Sequence, residues 1–349
     1  MSASLGEKGP MSSRKISPMF SIVLPVFNEE QILPALYMRL SGVMQELGET
    51  YELVFVNDGS RDDSFAFLKS LSAADPAVKI VSLSRNFGHQ TAITCGLDHA
   101  GGEAVVIMDA DLQDPPEVIA RFVEKWREGY DVVYAVREKR QGENFFKRGT
   151  AALFYRLLRA LTHVDIPLDT GDFRLLSRRA VNALQLARER SRFVRGLVIW
   201  VGYRQTGVRF TREERGAGET KYTFRKMLKF AFDGITAFSS VPLQAATYLG
   251  LVISGLSFLY IVYAVVAKLF TGHTVPGWTS IMVAVLFLGG VQLLALGVIG
   301  EYVGRVYEEV KRRPLYLVDE RVGFEDGSRR SLNAATRPSL FQEHGQDEF

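Results

Sequence analysis

Short apolar runs rich in β-branched residues alternate with longer segments of mixed polarity between residues 19 and 137. The short runs have the length and composition of buried strands, and the longer segments have those of helices. Their alternation predicts an α/β fold with a mainly parallel sheet and helices on its faces. In such sheets, ligands bind beyond the carboxyl ends of the strands. The predicted strands are Phe20–Pro25, Glu52–Asp58, Lys79–Ser84, Ala104–Asp109 and Asp131–Arg137, and the predicted helices are Glu29–Leu47, Asp62–Leu71, Gln90–Ala100 and Pro116–Glu128.

Two long stretches in the last third of the chain carry no Asp, Glu, Lys or Arg. One lies between Asp233 and Lys268, and the other runs from Thr274 to Gly300. Each is longer than the roughly 20 apolar residues that cross a bilayer, whereas the alternative is a pair of helices buried in a large soluble core. The loop Leu269–Trp278 has no Lys or Arg, and basic residues lie on both outer flanks. The positive-inside rule therefore predicts a membrane hairpin with both termini in the cytoplasm.

Two further segments, Phe145–Leu161 and Phe224–Phe238, place apolar side chains on one helical face and cations opposite them. This pattern is typical of helices that lie in the headgroup layer of a membrane. The alternative for each is an ordinary amphipathic helix packed on the domain. The neighbouring hairpin favours the membrane for the second segment.

The amino-acid composition limits the classes of function that this protein can have. The 349 residues carry a net charge of only +3, so a general affinity for nucleic acid is not expected. Cys95 is the only cysteine, which excludes an intrachain disulfide and suits a reducing compartment. Residues 1–18 lack an apolar core before their prolines, which predicts a flexible tail and not a signal peptide.

Acidic residues follow two of the predicted strands. Asp58 precedes Gly59, although Asx-Gly is also a common turn. Asp109 and Asp111 can face one pocket and hold a hard divalent cation together with phosphate oxygens and water. Taken alone, such a pair is more often part of a solvated loop. No G-x-G-x-x-G follows the first strand and no G-K-[ST] occurs, which argues against a dinucleotide-binding domain and a P-loop nucleotidase.

The motifs taken together resemble those of glycosyltransferase family 2. Within that family the chain is similar to bacterial polyprenyl-phosphate glycosyltransferases, most closely the bactoprenol glucosyltransferases, and also to dolichyl-phosphate mannose synthases. The similarity runs from about Phe20 to Leu317. The segments that carry it are Ser21–Glu29 (SIVLPVFNE), Asn57–Ser60 (NDGS), Arg85–Gln90 (RNFGHQ), Asp109–Pro116 (DADLQDPP), Gly171–Arg178 (GDFRLLSR), Glu214–Tyr222 (ERGAGETKY) and Gly297–Arg305 (GVIGEYVGR).

This resemblance implies a GT-A (Rossmann-like) nucleotide-sugar domain, a divalent metal (Mg²⁺ or Mn²⁺) and site residues that can be carried over by position. The nucleotide-sugar-binding residues would be Pro25, Phe27, Glu29, Asp58, Arg85 and Asp109. The metal ligands would be Asp111, Gln113 and Asp109, and the catalytic residues Asp172, Asp109, Arg215 and Lys221. The cations for the lipid phosphate would be Arg137, Arg148, Arg215 and Lys221.

The expected organisation has five parts: a flexible tail (1–18), the catalytic domain (19–215), a juxtamembrane amphipathic helix (216–240), a transmembrane hairpin (241–305) and a cytoplasmic tail (306–349). The resemblance also implies a homo-oligomer, a tetramer, in the bacterial inner membrane with the catalytic domain in the cytoplasm.

The expected reaction is transfer of a hexose, glucose from UDP-glucose, to undecaprenyl phosphate with inversion, which supplies a lipid-linked donor for modification of surface glycans such as O-antigen. Two alternatives stay open: another donor sugar such as UDP-N-acetylglucosamine, and a non-catalytic, membrane-tethered protein that binds sugar nucleotides. A processive polysaccharide synthase is disfavoured because the chain has no Q-x-x-R-W motif and too few spanning helices.

Overall fold

The amino-terminal part of the domain consists of alternating strands and helices. The computed structural model describes residues 18–137, 170–190, 192–211, 241–271 and 277–324. All the strands and helices predicted up to residue 137 are confirmed, with ends that shift by a few residues. They are β1 (Phe20–Val26), α1 (Leu33–Leu47), β2 (Tyr51–Asn57), α2 (Ser64–Ala74), β3 (Val78–Leu83), α3 (His89–His99), β4 (Ala104–Ile107), α4 (Val118–Arg127) and β5 (Val132–Arg137).

The later elements complete the sheet and add two long helices. They are β6 (Thr170–Ser177), α5 (Arg178–Leu186), α6 (Val194–Trp200), β7 (Gln205–Phe210), α7 (Val241–Thr271), α8 (Trp278–Val310) and β8 (Val318–Val322). The strand order is β7-β5-β6-β4-β1-β2-β3-β8. Strands β1 to β4 are parallel to their neighbours among themselves, whereas β6 runs antiparallel to β4 and β5. The carboxyl ends of β1, β2 and β4 therefore meet at one edge, and the amino-terminal end of β6 joins them there.

The central strands β1 to β4 are buried on both faces, which explains their continuous apolar runs. Along β1, Ile22 and Leu24 pack with α1, α2 and α4, whereas Val23 packs with α3, α5 and α6. Helix α3 lies directly on β1, because a Cβ at Gly96 would be only 2.1 Å from Val23 Cγ1. This close packing holds the first turn of α3, which begins at His89, at the edge where the parallel strands end.

The segment that follows α8 returns to the α/β domain and pairs with its sheet. Strand β8 runs antiparallel to β3, and the Leu317 carbonyl accepts a hydrogen bond from Ser84 N at 3.0 Å. The Tyr316 hydroxyl donates to Asp98 Oδ2 at 2.7 Å. At the end of α8, Glu309 Oε1 accepts from Arg190 N at 2.6 Å. Part of the stretch expected to be a cytoplasmic tail (306–349) is thus an edge strand that ties α8 to the domain, a pairing that the sequence analysis did not predict.

Helices α7 and α8 are long and apolar enough to cross a membrane. Leu243–Tyr260 has a mean hydropathy of 1.4 and Ser280–Val310 one of 2.4, and neither window is buried. At 1.5 Å per residue both helices exceed the ~30 Å hydrocarbon core of a bilayer. The charge-free part of α8 ends at Gly300, and the next turn carries an ion pair between Glu301 and Arg305 at 3.0 Å. The predicted interfacial segments Phe145–Leu161 and Phe224–Phe238 lie outside the described residues.

Candidate active site

The loops that follow β1 and β2 are held together by hydrogen bonds. Asn28 adopts a left-handed backbone conformation (φ 58°). Its side-chain Oδ1 accepts from Arg61 N at 2.8 Å, and its own N–H donates to Ser60 Oγ at 3.1 Å. Glu29 N donates to Ser64 Oγ at 2.9 Å. These bonds fix the predicted donor-binding stretch, in which Pro25 is buried, Phe27 is 44% exposed and Glu29 is partly buried.

Asp58, at the end of β2, holds the loop that leads into α3. Its two carboxylate oxygens accept from Phe87 N at 2.7 Å and from Gly88 N at 2.9 Å. Burial raises the pKa of Asp58, and these two N–H groups offset part of that rise. Gly59 allows the close approach, because a Cβ there would lie 2.6 Å from the Arg85 carbonyl carbon. The Arg85 guanidinium stacks over the Phe87 ring at 4.1 Å, so Asp58 organises the predicted donor-binding residue Arg85.

Asp109 and Asp111 lie just beyond β4, at the same edge. Asp111 Oδ1 accepts from Gln113 N at 3.1 Å, a turn that places Leu112 in the left-handed region (φ 56°). Asp109 Oδ1 is buried without a hydrogen bond, although His89 Nε2 lies 3.3 Å from it. Burial raises the pKa of Asp109; His89 opposes this rise, and the charges of Asp172 and Asp111 add to it.

These two carboxylates fit a divalent cation of the Mg²⁺ type. The described residues contain no group of three or more His, Cys, Asp or Glu side chains that would form a full protein cage for a metal. Mg²⁺ does not need one, since it typically takes one or two carboxylates together with phosphate oxygens and water. A cation beside Asp109 and Asp111 would also offset the burial of Asp109 and its repulsion by neighbouring carboxylates, which together raise its pKa.

Asp172, near the start of β6, is the centre of a buried polar network. Its side chain is 4% exposed and forms a two-pronged ion pair with Arg195, in which Nε donates to Oδ1 at 2.8 Å and Nη2 to Oδ2 at 3.1 Å. Gln90 Nε2 donates to Oδ2 at 3.2 Å, and His89 Nε2 lies 3.3 Å from the same oxygen. Arg174, also 4% exposed, lies 3.9 Å from Oδ1.

The network determines the charge of Asp172. Burial by itself raises the pKa of this carboxyl, but His89 and Arg195 outweigh burial and hold the pKa below its usual range. Burial likewise lowers the pKa of His89, yet Asp172 and Asp109 together raise it above the ordinary value. A carboxylate with a depressed pKa and occupied oxygens is a poor general base.

Comparison with known proteins shows the family to which this chain belongs. The model of glycosyl transferase family 2 matches residues 21–185, and that of the GtrB C-terminal hairpin matches residues 241–306. The uncharacterized glycosyltransferase YkcC of Bacillus subtilis is 56% identical over 307 residues, which are 88% of this chain and 95% of that protein. The chain belongs to glycosyltransferase family 2.

Further similarities of this family 2 glycosyltransferase are more distant. The SfII prophage-derived bactoprenol glucosyl transferase of Shigella flexneri is 44% identical over 298 residues, 85% of this chain and 96% of that one. Among solved structures, glucosyl-3-phosphoglycerate synthase from Mycobacterium tuberculosis, in complex with Mn²⁺, UDP-glucose and phosphoglyceric acid, aligns with a TM-score of 0.42 at 18% identity, covering 63% of this chain and 78% of that one. The family predicted from the motifs is confirmed, and the structure confirms the predicted α/β fold class.

The structure of the transferase brings the described candidates together at one edge of the sheet. Asp58, Asp109, Asp111 and Asp172 all lie there, and His89 contacts two of them. Arg137 ends β5 beside Gly171. The candidates Arg148, Arg215 and Lys221 lie outside the described residues.

Sequence reasoning did not assign a role to His89, Gln90, Arg174 or Arg195. His89 and Gln90 could have been assigned from the sequence, because they are the last two residues of the motif Arg85–Gln90, which supported the family resemblance. Arg174 lies inside another such motif, Gly171–Arg178. Arg195 lies in none of the motifs, and only the folded structure identifies it.

Proposed function

We propose that this transferase moves a hexose, with glucose as first choice, from a UDP-sugar to undecaprenyl phosphate or a similar polyprenyl phosphate. One observation supports this proposal above all: the same chain contains the family 2 domain, with Asp109 and Asp111 at the edge of its sheet, and a C-terminal hairpin of the GtrB type. Relatives of Shigella phages and of Escherichia coli that are 42–44% identical are named as bactoprenol glucosyl transferases or a homolog of one, which supports the acceptor and the sugar.

In the proposed reaction, an acceptor phosphate oxygen attacks the anomeric carbon, and the bond to the nucleoside diphosphate breaks. In-line attack inverts the anomeric configuration. A phosphate monoester has its second pKa near about 6, so the acceptor is already anionic at neutral pH and needs no strong base. This agrees with the poor basicity of Asp172. The main barrier that the enzyme must lower is then the electrostatic repulsion between two approaching anions, and not the removal of a proton.

A divalent cation, Mg²⁺ or Mn²⁺, would be held by Asp111, Asp109 and Gln113. When bound, it would stabilise the negative charge that develops on the departing diphosphate. Asp58 holds the Arg85–Gly88 loop against the donor side of the cleft. The acceptor phosphate would be bound by Arg137, Arg148, Arg215 and Lys221. A tetramer of the chain is also proposed, from the family resemblance alone.

Arg137 is the acceptor-phosphate candidate that the described part of the chain contains. Its Nε is buried without a hydrogen-bond partner, and its Nη2 lies 2.9 Å from where a Cβ on Gly171 would be. Since losing a charge-assisted contact costs about 1.5–3 kcal/mol, Arg137→Ala is expected to lower kcat/KM for the lipid acceptor about 10- to 100-fold. The KM for the donor should hardly change. Arg121→Ala, which removes an exposed guanidinium that donates to the Arg209 carbonyl, serves as the control. Equal kinetics for both variants would contradict the assignment.

The proposed topology places both termini and the catalytic domain in the cytoplasm, and the loop between α7 and α8 outside. Reporter fusions at Gly272 and after the carboxyl terminus are expected to report opposite sides of the membrane, because the basic residues flank the hairpin and its loop has none. A fusion after Asp233 should agree with the carboxyl-terminal one. Reporters on the same side at Gly272 and the carboxyl terminus would exclude the hairpin.

The proposed function is tested by incubating membranes that contain the protein with radiolabelled nucleotide sugars and undecaprenyl phosphate. We expect a lipid-linked hexose from UDP-glucose and none without the polyprenyl phosphate. Transfer from UDP-N-acetylglucosamine alone would keep the reaction class and change the sugar. Binding of a nucleotide sugar without any transfer would favour a non-catalytic protein.

A further inference from the structure

The Asp172 carboxylate is engaged on both oxygens by groups from two helices. Oδ1 accepts from Arg195 Nε at 2.8 Å, and Oδ2 accepts from Arg195 Nη2 at 3.1 Å and Gln90 Nε2 at 3.2 Å, with His89 Nε2 at 3.3 Å. Because only 4% of this side chain is exposed, a substrate has little access to it. These contacts suit an anchor, by which we mean a fixed carboxylate that orients the side chains of Arg195, Gln90 and His89 around it.

His89 connects this anchor to the donor side of the cleft. Its Nε2 lies 3.3 Å from Asp109 Oδ1 and also 3.3 Å from Asp172 Oδ2, so one ring atom lies between two carboxylates from different strand ends. The His89 side chain is 43% exposed, and it therefore lines the cleft while it bridges the acids. Gly88 (φ 97°) turns the chain into α3 immediately before it, and its N–H is held by Asp58.

Gln90 connects the same network to α6. Its Oε1 accepts from Val194 N at 2.9 Å while its Nε2 donates to Asp172, so both ends of the amide are used. The hydrogen bond from Val194 N to Gln90 fixes the start of α6. The next residue, Arg195, donates two parallel hydrogen bonds to Asp172. Such two-pronged pairs restrict orientation more strongly than a single contact.

We propose that His89 and Arg195 are positioning residues of the transfer reaction, which hold Asp109 at a fixed distance from the buried Asp172 and so keep Asp109 beside the bound donor. The carboxylates of Asp109 and Asp172 lie on either side of His89 and repel each other, and the bridging imidazole and the Arg195 guanidinium oppose that repulsion. Without them Asp109 would turn away from the donor. The proposal rests on the proposed function, since it names residues that orient the site for that reaction.

The test uses purified full-length protein carrying His89→Gln, Arg195→Lys, Arg195→Gln, Asp172→Asn, or His89→Gln combined with Asp172→Asn. Arg188→Gln is a matched control, because Arg188 forms a two-pronged pair with Asp98 at 2.7 and 2.9 Å at the opposite end of α3. For each variant, kcat, the KM for donor and acceptor, and the Tm are measured.

We expect His89→Gln and Arg195→Gln to lower kcat about 10- to 100-fold with less than about a threefold change in the KM for the donor, since positioning acts on the reacting geometry. Arg195→Lys should recover part of kcat by restoring the charge. In the Asp172→Asn background, His89→Gln should cost little more, because both residues act through one network. Arg188→Gln should lower the Tm and leave kcat unchanged.

The proposal is overturned if His89→Gln and Arg195→Gln reduce kcat no more than Arg188→Gln does, or if the His89 and Asp172 effects multiply independently. Wild-type protein that transfers no hexose would refute the proposed function instead. In that case the Tm shifts of the same single and double variants still decide whether the side chains form one unit, and strictly additive shifts would overturn the network.

Discussion

Asp111→Ala is expected to abolish transfer, lowering kcat/KM by about 10³-fold or more, while the protein stays folded and bound to the membrane. A metal that stabilises a departing diphosphate contributes several kcal/mol, and about 4 kcal/mol corresponds to three orders of magnitude in rate. Asp111 is partly exposed and lies in a loop beyond β4, outside the strands and helices, so its loss should perturb the fold little. The measurement is transfer by purified enzyme over a range of Mg²⁺ and Mn²⁺ concentrations.

The control for this experiment is Asp319→Ala. Asp319 is an exposed acid on the edge strand β8, which β3 separates from β2 and from the strands beyond it, and its removal changes the net charge by the same amount. It should leave the kinetics unaltered. Turnover close to that of the wild type by the Asp111→Ala enzyme, with or without added metal, would refute the role of Asp111 as a metal ligand.

Asp172→Asn is expected to lower kcat at least about 100-fold and to lower the Tm, and a large loss of kcat should persist at every pH from about 6 to 9. Removing one member of a buried ion pair costs about 3–5 kcal/mol, and the lower end applies here because Arg195 is 30% exposed. The fully buried Arg174 would also lose its nearby anion.

The pH dependence separates two roles of Asp172. Because the network holds its pKa below the usual range, the carboxylate stays ionised throughout the working range, and its contribution to stability is complete above the ordinary value of about 4. That contribution is lost only as acid lowers the pH towards the depressed pKa of the folded state. The Tm difference between wild type and Asp172→Asn should therefore shrink below about pH 5. It should also shrink as the pH rises through the raised pKa of His89, because the ion pair between the His89 imidazolium and Asp172 is then lost in the wild type.

A matched variant is Asp98→Asn, which breaks the two-pronged pair between Asp98 and Arg188 at the far end of α3. It should lower the Tm with little effect on kcat. If the activity deficit of Asp172→Asn instead disappears as the pH rises from about 6 to 9, then Asp172 removes a proton and its assignment as an anchor is wrong.

Much of the catalytic domain could be predicted because its signals are local. Buried parallel strands need apolar side chains on both faces, so the run at Phe20–Val26 is recognisable without knowing its neighbours. The position of Asp109 and Asp111 follows from the end of one such run. By contrast, β8 is a short edge strand with the polar sequence VDERV, and its pairing with β3 leaves no periodic apolar pattern.

The sequence alone determined the alternation of strands and helices, the acids at the strand ends, the two charge-free helices and the family, since each depends on residues close together in the chain or on motifs in order. Tertiary structure decided what surrounds those acids. Gln90 and Asp172 are 82 residues apart in the chain, and α6 places Arg195 on the same carboxylate. Whether a carboxyl acts as a base or as a fixed anion depends on burial and on the charges within a few ångströms, and folding alone brings those groups together.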